Sequence, residues 1–570
     1  MNPLFTALLV GPLLWVGNWI WCLYRNYRAA KLSGLPVLLS PFAPDGMPYL
    51  LIKGPLRPLL ETILPFPGIR VSIFGWEFRD RHELHDRVGP AFILATPDLN
   101  ELWCADPAMA QVILARRKDF VQLPIASKIM SFLGGNILTA DGEDWARQRR
   151  LVAPNLNERI SEKVWSESME QANQMVDYML RQPGGASRDV ISGLRAIAIN
   201  VLGQVGYGEP KPFKPMELPR DPAAAEKSTY VEAISLCAEL LVFAALIPSK
   251  FMRMSFMPKA LQTLAVAVEN IPGLTKEMLE QERKRIASSH SGSGSRDNLM
   301  SMLVRLSDAG KSGDKQQSGL AGEAGPHGQY LTDDEISGNL FVFTGAGFDT
   351  TANTLAYAIT LLAAYPQWQE WIQEELDRVL GEQEQTESPD YNTTYPQLAR
   401  CLAVMLETLR LYPPVLHVSR SIKTSQTIRT AEDKSYFIQG PCVVYINNPA
   451  LHTYKSIWGE DSLEFRPSRW ITKGADGAEE ELITPARGTF SPWSGGPRVC
   501  PGQKMSQVEF VTVMAAIFRQ CNIEPVPNKE KGETMDQAKK RMLVLTEDSM
   551  PRLTLQMNKP EEVYLRWVRR

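Results

Sequence analysis

The stretch Trp493-Ser494-Gly495-Gly496-Pro497-Arg498-Val499-Cys500-Pro501-Gly502 places a single cysteine in a glycine-rich loop, two residues after an arginine. The loop leads into a predicted helix. Glycines let a backbone approach a flat ligand closely, and backbone N–H groups together with a helix N-terminus stabilise a thiolate. A buried structural cysteine is the common alternative, but it explains neither the glycines on both sides nor the arginine. The stretch therefore predicts that Cys500 is a ligand or a nucleophile.

The same stretch, residues 493–502, resembles the haem-binding signature F-x-x-G-x-R-x-C-x-G of cytochromes P-450. Gly496, Arg498, Cys500 and Gly502 match the signature, and Trp493 stands where it has phenylalanine. The resemblance implies the cytochrome P-450 fold, which is mainly α-helical with small β-sheets. It also implies haem b (iron protoporphyrin IX) as cofactor, with Cys500 as the thiolate ligand of the iron and the other four residues in contact with the haem.

A long helix is predicted from Asp333 to Ala364, because Thr332 and Glu335 form a capping-box pattern and no proline follows until Pro366. At about 1.5 Å per residue this helix is roughly 48 Å long, enough to cross a domain. Helices of this length usually run through the centre of a fold.

The predicted long helix contains Ala346-Gly347-Phe348-Asp349-Thr350-Thr351, which resembles the A/G-G-x-D/E-T-T motif on the distal side of the P-450 haem. The resemblance implies that Asp349 and Thr350 are catalytic and deliver protons to bound dioxygen, and that Ala346 and Gly347 leave room beside the iron. A threonine hydroxyl can also simply hydrogen-bond to carbonyls of its own helix. The position of the motif relative to Cys500 favours the catalytic interpretation.

Glu407-Thr408-Leu409-Arg410 resembles the E-x-x-R pair of the family, whose two side chains lie one helical turn apart. Arg469 in a later P-x-R-W segment is the expected third member, although Ser468 replaces the usual acid. We interpret Glu407, Arg410 and Arg469 as structural residues that fix the loop beneath the haem through a buried carboxylate clamp.

Trp145-Ala146-Arg147-Gln148-Arg149 resembles the family's W-x-x-x-R motif, in which the tryptophan and the arginine contact a haem propionate. Trp145 and Arg149 are therefore predicted propionate partners, together with Arg420 and Arg498. Each arginine taken alone would more often be a solvated surface residue. As a group they suit an anionic cofactor, because arginine pairs well with carboxylates.

The N-terminal residues 1–24 carry no charged side chain and are mostly apolar from Leu4 onward, which is about long enough to cross a bilayer as one helix. Basic residues at 25, 28 and 31 follow this stretch, so the positive-inside rule places the rest of the chain in the cytosol. A cleaved signal peptide is the alternative, but it would have basic residues first and a shorter apolar region. The sequence thus predicts an N-terminal transmembrane helix as a single-pass anchor, which the resemblance places in the endoplasmic reticulum membrane.

The expected domain organisation is an anchor at 1–24, a basic and proline-rich connector at 25–50 and a catalytic domain at 51–570. The chain has 570 residues, of which 44% are hydrophobic and 22% charged, as in an ordered protein with a large core. A net charge of -3 argues against nucleic acid as a partner. The seven cysteines are scattered and form no C-x-x-C pair, which disfavours a disulfide framework or a zinc knuckle.

The resemblance implies a haem-thiolate monooxygenase that inserts one oxygen atom from O2 into a lipophilic small molecule, as do microsomal fungal enzymes of secondary metabolism. NADPH-derived electrons are expected from a separate NADPH-cytochrome P-450 reductase or a cytochrome b-type donor, because the roughly 70 residues after Cys500 are too few for a flavin domain. Two alternatives stay open. One is a P-450-type isomerase or dehydratase without net oxygen insertion, and the other is a non-catalytic membrane haem carrier or sensor. The Asp349–Thr350 pair argues against both.

Overall fold

A computed structural model describes residues 3–44, 66–288, 298–317, 330–381, 389–430, 434–473 and 480–570. The end of the expected connector, 45–50, and the start of the expected catalytic domain, 51–65, lie outside the described residues. The described chain is mainly α-helical with small β-sheets, which confirms the predicted fold class.

The α-helices of the described chain are α1 Pro3–Lys31, α2 Pro67–Ser72, α3 Trp76–Asp80, α4 Glu83–Val88, α5 Pro107–Ala115, α6 Pro124–Met130, α7 Gly142–Val152, α8 Glu158–Leu180, α9 Val190–Leu202, α10 Pro222–Glu226, α11 Tyr230–Glu239, α12 Leu241–Leu246, α13 Ser249–Met252, α14 Lys259–Ser288, α15 Leu299–Gln317, α16 Asp333–Ala364, α17 Pro366–Leu380, α18 Tyr391–Thr394, α19 Ala399–Leu411, α20 Asn448–Thr453, α21 Lys455–Trp458, α22 Gln503–Gln520 and α23 Met535–Glu547.

The strands are β1 Val37–Leu39, β2 Ala91–Ala95, β3 Asn100–Cys104, β4 Ala186–Ser187, β5 His417–Ile422, β6 Gln426–Arg429, β7 Ser435–Ile438, β8 Cys442–Asn447, β9 Ile471–Lys473, β10 Glu480–Leu482, β11 Cys521–Pro525, β12 Ser549–Pro551, β13 Leu555–Met557 and β14 Leu565–Arg569.

The chain divides into two compact units. Unit 1 comprises Met1–Ile125, Arg410–Glu464 and Pro485–Cys500, and unit 2 comprises Ala126–Leu409, Phe465–Thr484 and Pro501–Arg570. Each unit is built from three separate segments of the chain. The expected single catalytic domain therefore contains two centres of packing.

Unit 1 is organised around a five-stranded sheet in the order β1-β2-β3-β8-β5. β3 and β8 pair in parallel, whereas β2 pairs with β3 and β5 pairs with β8 in antiparallel fashion. Every residue of β2, β3 and β8 is buried. The continuous apolar run of β2 is typical of a strand covered on both faces.

Unit 2 is organised around α16, whose bounds, Asp333–Ala364, are those predicted. The capping box is present, because Thr332 Oγ1 accepts from the Glu335 backbone and the Glu335 carboxylate accepts from the Thr332 backbone. Gly338 lets this helix lie directly on a loop, since a Cβ at this position would meet the backbone of Gly134 and Gly135. The helix is buried over most of its length, as a central helix should be.

One segment of the described helices, Val190–Tyr207, has the length and apolarity that a membrane-crossing helix requires, and 83% of it is buried inside the fold. It comprises α9 and the single π-helical turn that follows it.

The last turns of α1 are part of unit 1. Asn26 Nδ2 donates to the carbonyls of Thr96 and Asp98, both at 2.9 Å, and Asn100 Nδ2 donates to the Asn26 carbonyl at 2.9 Å. β1 follows after five residues and pairs in parallel with β2. The structure therefore differs from the expected connector at 25–50, because its first seven residues are helical and a later part joins the sheet.

Candidate active site

Cys500 is the last residue of a loop in unit 1, and backbone hydrogen bonds within the loop hold its two ends together. The Cys500 N–H donates to the Trp493 carbonyl at 2.9 Å, and the Val499 N–H donates to the Gly496 carbonyl at 3.2 Å. Among the cysteines of the described chain, Cys500 is exposed, Cys22 is half-buried and the other five are buried. The thiol of Cys500 is thus the one in the described chain that an incoming ligand can reach most directly.

Gly496 has a left-handed backbone with φ at 63°, and a Cβ there would collide with the Leu114 carbonyl at the end of α5. Only glycine meets both demands without strain. From the sequence, the glycines of this loop were expected to allow close approach of a cofactor, and in the structure Gly496 also lies against the end of α5. Gly502, the last residue of the signature, is the N-cap residue of α22 in unit 2.

Two of the predicted propionate partners lie in unit 1. Arg420 is a buried residue of β5, and its guanidinium donates to the Ser419 carbonyl at 2.7 Å and to Gln122 Oε1 at 3.3 Å. Arg498 is half-buried in the short helical turn Gly496–Arg498 beside the half-buried Trp493. Unit 1 therefore combines an exposed thiol with two arginines, one of them in the same loop.

In unit 2, the middle of α16 carries one incompletely buried stripe. Phe343, Ala346, Gly347 and Thr350 are half-buried or exposed, whereas the residues around them in the helix are buried. Their spacing of three, one and three residues puts them on one face of the helix. Three of the four residues predicted from the distal motif, Ala346, Gly347 and Thr350, thus share one accessible face.

The Thr350 hydroxyl donates to the Ala346 carbonyl at 2.8 Å. The α-helix continues through the motif without interruption. The hydroxyl thus makes the local bond that mid-helix threonines commonly make. Its oxygen can still accept a hydrogen bond from water.

Asp349, the other predicted catalytic residue, is buried away from the accessible stripe. Its carboxylate accepts from Arg195 at 3.2 Å, from the Thr554 hydroxyl at 2.6 Å and from Gln556 Nε2 at 3.1 Å. The Arg195 guanidinium also lies 4.0 Å from the Glu239 carboxylate. The sequence analysis missed these partners, because they come from α9 and from the region of the β12–β13 hairpin, 154 to 207 residues away from Asp349 along the chain.

Trp145 and Arg149 lie on α7 four residues apart, Trp145 buried and Arg149 half-buried. Arg147 between them reaches the start of α16. Its guanidinium donates to the Tyr330 carbonyl at 2.6 Å and to both carboxylate oxygens of Glu335. Burial by itself would raise the pKa of the Glu335 carboxyl, but the hydrogen bonds and charge of Arg147 together with the hydrogen bonds from Thr332 hold this pKa below its usual value. Arg147, which the motif leaves as a variable position, joins α7 to the start of α16.

The Glu407 carboxylate is completely buried in unit 2. It accepts from the Arg469 guanidinium, from the indole of Trp470 and from the Arg466 backbone N–H, each at 2.9 Å. In unit 1, Arg410 is also fully buried and donates to the carbonyls of His452 at 2.8 Å and Glu464 at 3.1 Å. These contacts agree with the structural interpretation of Glu407, Arg410 and Arg469.

A haem-thiolate group needs a reachable sulfur, cations for its carboxylates and an uncovered wall of small or apolar side chains. The described residues include all three: the exposed Cys500, the arginines at 420 and 498, and the stripe from Phe343 to Thr350. The donor set therefore fits such a group.

A sequence model of the family "Cytochrome P450" matches residues 58–550. A phomenoic acid biosynthesis cluster cytochrome P450 monooxygenase of Leptosphaeria maculans is 30% identical to this chain and covers 90% of each sequence. Cytochrome P450 monooxygenase prx9 of Penicillium rubens is 26% identical over 87% of each. The crystal structure of a cytochrome P450, CYP102L1, superimposes with a TM-score of 0.62 at 19% identity, over 86% of this chain and 94% of that one.

The solved structure supports the fold alone, whereas the family match and the fungal relatives establish membership. The protein belongs to the cytochrome P450 family, and its activity is that of a monooxygenase, an oxidoreductase.

Proposed function

We propose that this cytochrome P450 inserts one oxygen atom from O2 into a lipophilic small molecule, as a tailoring step in the biosynthesis of a secondary metabolite. The observation that carries the proposal is the exposed Cys500 thiol in a closed glycine-containing loop that matches the family signature. The relative from Leptosphaeria maculans, which is named for the phomenoic acid cluster, supports the tailoring role. Family membership implies a small-molecule substrate and a redox partner.

The chain's own residues divide the work of holding the cofactor, haem b. Cys500 ligates the iron, and Trp145, Arg149, Arg420 and Arg498 hold the propionates through hydrogen bonds and charge. Trp493, Gly496 and Gly502 shape the loop around the sulfur, and Ala346 and Gly347 keep their helix face free of bulk. When bound, a haem with a thiolate ligand supplies the activation of dioxygen.

Thr350 and Asp349 have different parts in proton delivery. Thr350 lies on the accessible stripe, and while its hydroxyl donates to the Ala346 carbonyl, its oxygen can accept a hydrogen bond from a water and so hold that water in place as the proton donor. Asp349, the residue before Thr350 in the helix, accepts hydrogen bonds from three enclosing donors. We infer that Asp349 acts through Thr350, by fixing the helical turn that carries the hydroxyl.

Two pairs of variants test the proposal. Cys500→Ala should abolish the strongly red-shifted Soret band of the reduced, carbon monoxide-bound protein, whereas Cys22→Ala should keep it. Thr350→Ala should retain haem but consume NADPH without a matching yield of product, whereas Thr351→Ala is the control, because Thr351 is buried and also bonds to a helix carbonyl. A normal spectrum for Cys500→Ala contradicts the ligand. Unchanged coupling for Thr350→Ala makes the motif structural and favours an isomerase or dehydratase.

We propose that electrons come from NADPH through a separate NADPH-cytochrome P450 reductase, with a cytochrome b-type protein as a further donor. The test is reconstitution of the full-length protein with purified reductase. Product formation should need reductase and NADPH together, and turnover with NADPH alone would contradict a separate donor.

We propose that α1 anchors the protein in the endoplasmic reticulum membrane as a single-pass helix, with the catalytic part in the cytosol. Leu13, Trp15 and Trp21 are 70%, 67% and 61% exposed, and the first charged residue is Arg25. Large apolar side chains exposed in this density are stable in lipid but not in water. Phe251 and Phe256, near α13, are also exposed and support a second contact with the bilayer.

Protease treatment of intact microsomes tests this topology. The protein should float with membranes, and its catalytic part should be digested without detergent. Protection of the catalytic part would place it in the lumen and contradict the proposed orientation.

A further inference from the structure

A cleft of about 590 Å³ lies in unit 1, where the last turns of α1 meet the sheet. We call it the junction cleft. One wall is a face of α1 with Arg25, Arg28 and Leu32, and the other walls are the turns at 98–100 and 439–441. The volume lies within the roughly 300 to 1,000 Å³ of typical small-molecule sites. None of the residues assigned to the monooxygenase reaction lines it.

The charges in the junction cleft have both signs. Arg25 and Arg28 are exposed cations on α1, and Asp98 is an exposed carboxylate on the β2–β3 turn. Two guanidinium groups three residues apart lie on one side of a helix and suit a phosphate. The carboxylate, in contrast, would repel a simple anion. A ligand that satisfies the whole lining must carry a negative and a positive group.

Asn100 adds a second, independent requirement. It lines the junction cleft, is only 6% exposed and gives its amide N–H to the Asn26 carbonyl, while its Oδ1 is buried without a hydrogen-bond partner. An unsatisfied buried acceptor costs about 1 to 3 kcal/mol. A ligand with N–H groups beside Asp98 and Asn100 would remove that cost. A quaternary ammonium, such as that of a choline head group, has no N–H to donate.

The junction cleft also lies at the level that head groups would occupy. Arg25 follows directly on the uncharged residues of α1, and the exposed aromatic rings of Trp21 and Tyr24, 6.2 Å apart, are the type of side chain that marks a membrane interface. The exposed apolar side chains before them offer a surface for acyl chains. This step rests on the proposed membrane role of α1.

We propose that the junction cleft binds the head group of phosphatidylethanolamine, with the phosphate on Arg25 and Arg28 and the primary ammonium on Asp98 and Asn100. The asparagine bonds between Asn26 and the β2–β3 turn hold both walls in place before the lipid arrives. Phosphatidylcholine cannot donate to the acceptors, and the additional carboxylate of phosphatidylserine meets Asp98. The site is therefore selective for the ethanolamine lipid.

The test uses the full-length holoenzyme in phosphatidylcholine nanodiscs with lipids spin-labelled on the acyl chain, and the immobilised fraction gives relative association constants. Phosphatidylethanolamine should associate about tenfold more strongly than phosphatidylcholine, the ratio expected for one or two charge-assisted hydrogen bonds. Arg28→Gln should lower the immobilised fraction of phosphatidylethanolamine, because it removes one of the two guanidinium groups assigned to the phosphate. Lys31→Gln is the matched control, because it removes one positive charge from the same helix end outside the cleft lining.

Asp98→Asn separates the two ends of the head group. It should lower the preference for phosphatidylethanolamine and raise the association of phosphatidic acid, which has the phosphate without the ammonium. Equal association of the ethanolamine and choline lipids in the unchanged protein overturns the proposal, as does an effect of Lys31→Gln equal to that of Arg28→Gln. Displacement of the lipid by an equal concentration of soluble phosphoethanolamine would overturn a lipid as the source of the head group.

Two further measurements distinguish a failure of the junction cleft proposal from a failure of the proposed function or of the proposed anchor. The red-shifted Soret band of each variant reports an intact haem site, and flotation with membranes reports the anchor. A protein that does not float contradicts the anchor, whereas a protein that floats without lipid selectivity contradicts the junction cleft alone.

Discussion

The contact between Arg195 and Asp349 gives a sharp prediction, because both side chains are almost fully buried in unit 2. The side chains are 12% and 2% exposed, and the guanidinium lies 3.2 Å from the carboxylate. Arg195→Met leaves the carboxylate with two neutral donors, Thr554 and Gln556. Breaking one side of a buried ion pair costs about 3 to 5 kcal/mol. We expect that loss in the free energy of unfolding.

Asp349→Asn should cost less, about 1 to 3 kcal/mol, because the new amide still accepts hydrogen bonds and Arg195 retains Glu239 at 4.0 Å. The double variant removes both charges, so its cost should fall below the sum of the single costs by about 1 to 3 kcal/mol. Arg552→Met is the control, since Arg552 faces Glu239 at 3.6 Å and is more exposed. It should cost less than about 1 kcal/mol.

Urea unfolding of the detergent-solubilised protein measures these costs, with far-UV circular dichroism as the probe of the fold. The Soret band of the carbon monoxide complex reports the haem site in the same samples. Additive costs of Arg195→Met and Asp349→Asn would refute the coupling on which our assignment of Asp349 as a positioning residue depends.

Three further predictions concern Glu509, Gly496 and Glu407. Burial raises the pKa of the Glu509 carboxyl to about 8, whereas the same group in the unfolded chain loses its proton near 4.5. The free energy of unfolding should therefore fall as the pH rises from about 4.5 to about 8. In thermal or urea unfolding this fall should be roughly 1 kcal/mol for each pH unit, and Glu509→Gln should remove it. A pH profile of stability that Glu509→Gln leaves unchanged would contradict the raised pKa of Glu509. Gly496→Ala should destabilise the protein by about 2 kcal/mol more than Gly532→Ala. Both glycines have a positive φ, but only at Gly496 would the new Cβ collide with a neighbour, the Leu114 carbonyl. Equal costs of the two substitutions would argue against this collision. Glu407→Gln should leave Arg469 buried without its counter-charge and cost about 3 to 5 kcal/mol, seen as a lower yield of haem-loaded protein; a normal yield would make the cluster dispensable.

The sequence predicted elements whose signals are local. The bounds of α16 were predictable because a capping box opens the helix and a proline follows its end. Each of these signals lies within four residues of the helix end that it marks. The loop from Trp493 to Gly502 was recognisable because its residue types and spacing match a known signature.

Contacts between distant segments were not predictable in this way. Arg195, Thr554 and Gln556 meet at Asp349 because the packing of α9 and the β12–β13 region brings them there, and no periodicity in the sequence encodes this meeting. The two-residue strand β4 is too short for a pattern and exists because β14 offers it a partner. Prolines suggested a connector after α1, but hydrogen bonds from a remote strand decided that this region joins the sheet.

The attachment of α1 to the sheet through Asn26 has a mechanical consequence. Because these hydrogen bonds join the last turns of α1 to unit 1, a tilt of α1 as the proposed anchor would turn unit 1 by the same angle. Each residue of an α-helix also advances the direction of its side chains by about 100°. With α1 as the proposed anchor, inserting one alanine before Tyr24 would therefore rotate unit 1 about the helix axis by about this angle, and the number of residues in α1 would set which face of unit 1 is turned towards the lipid.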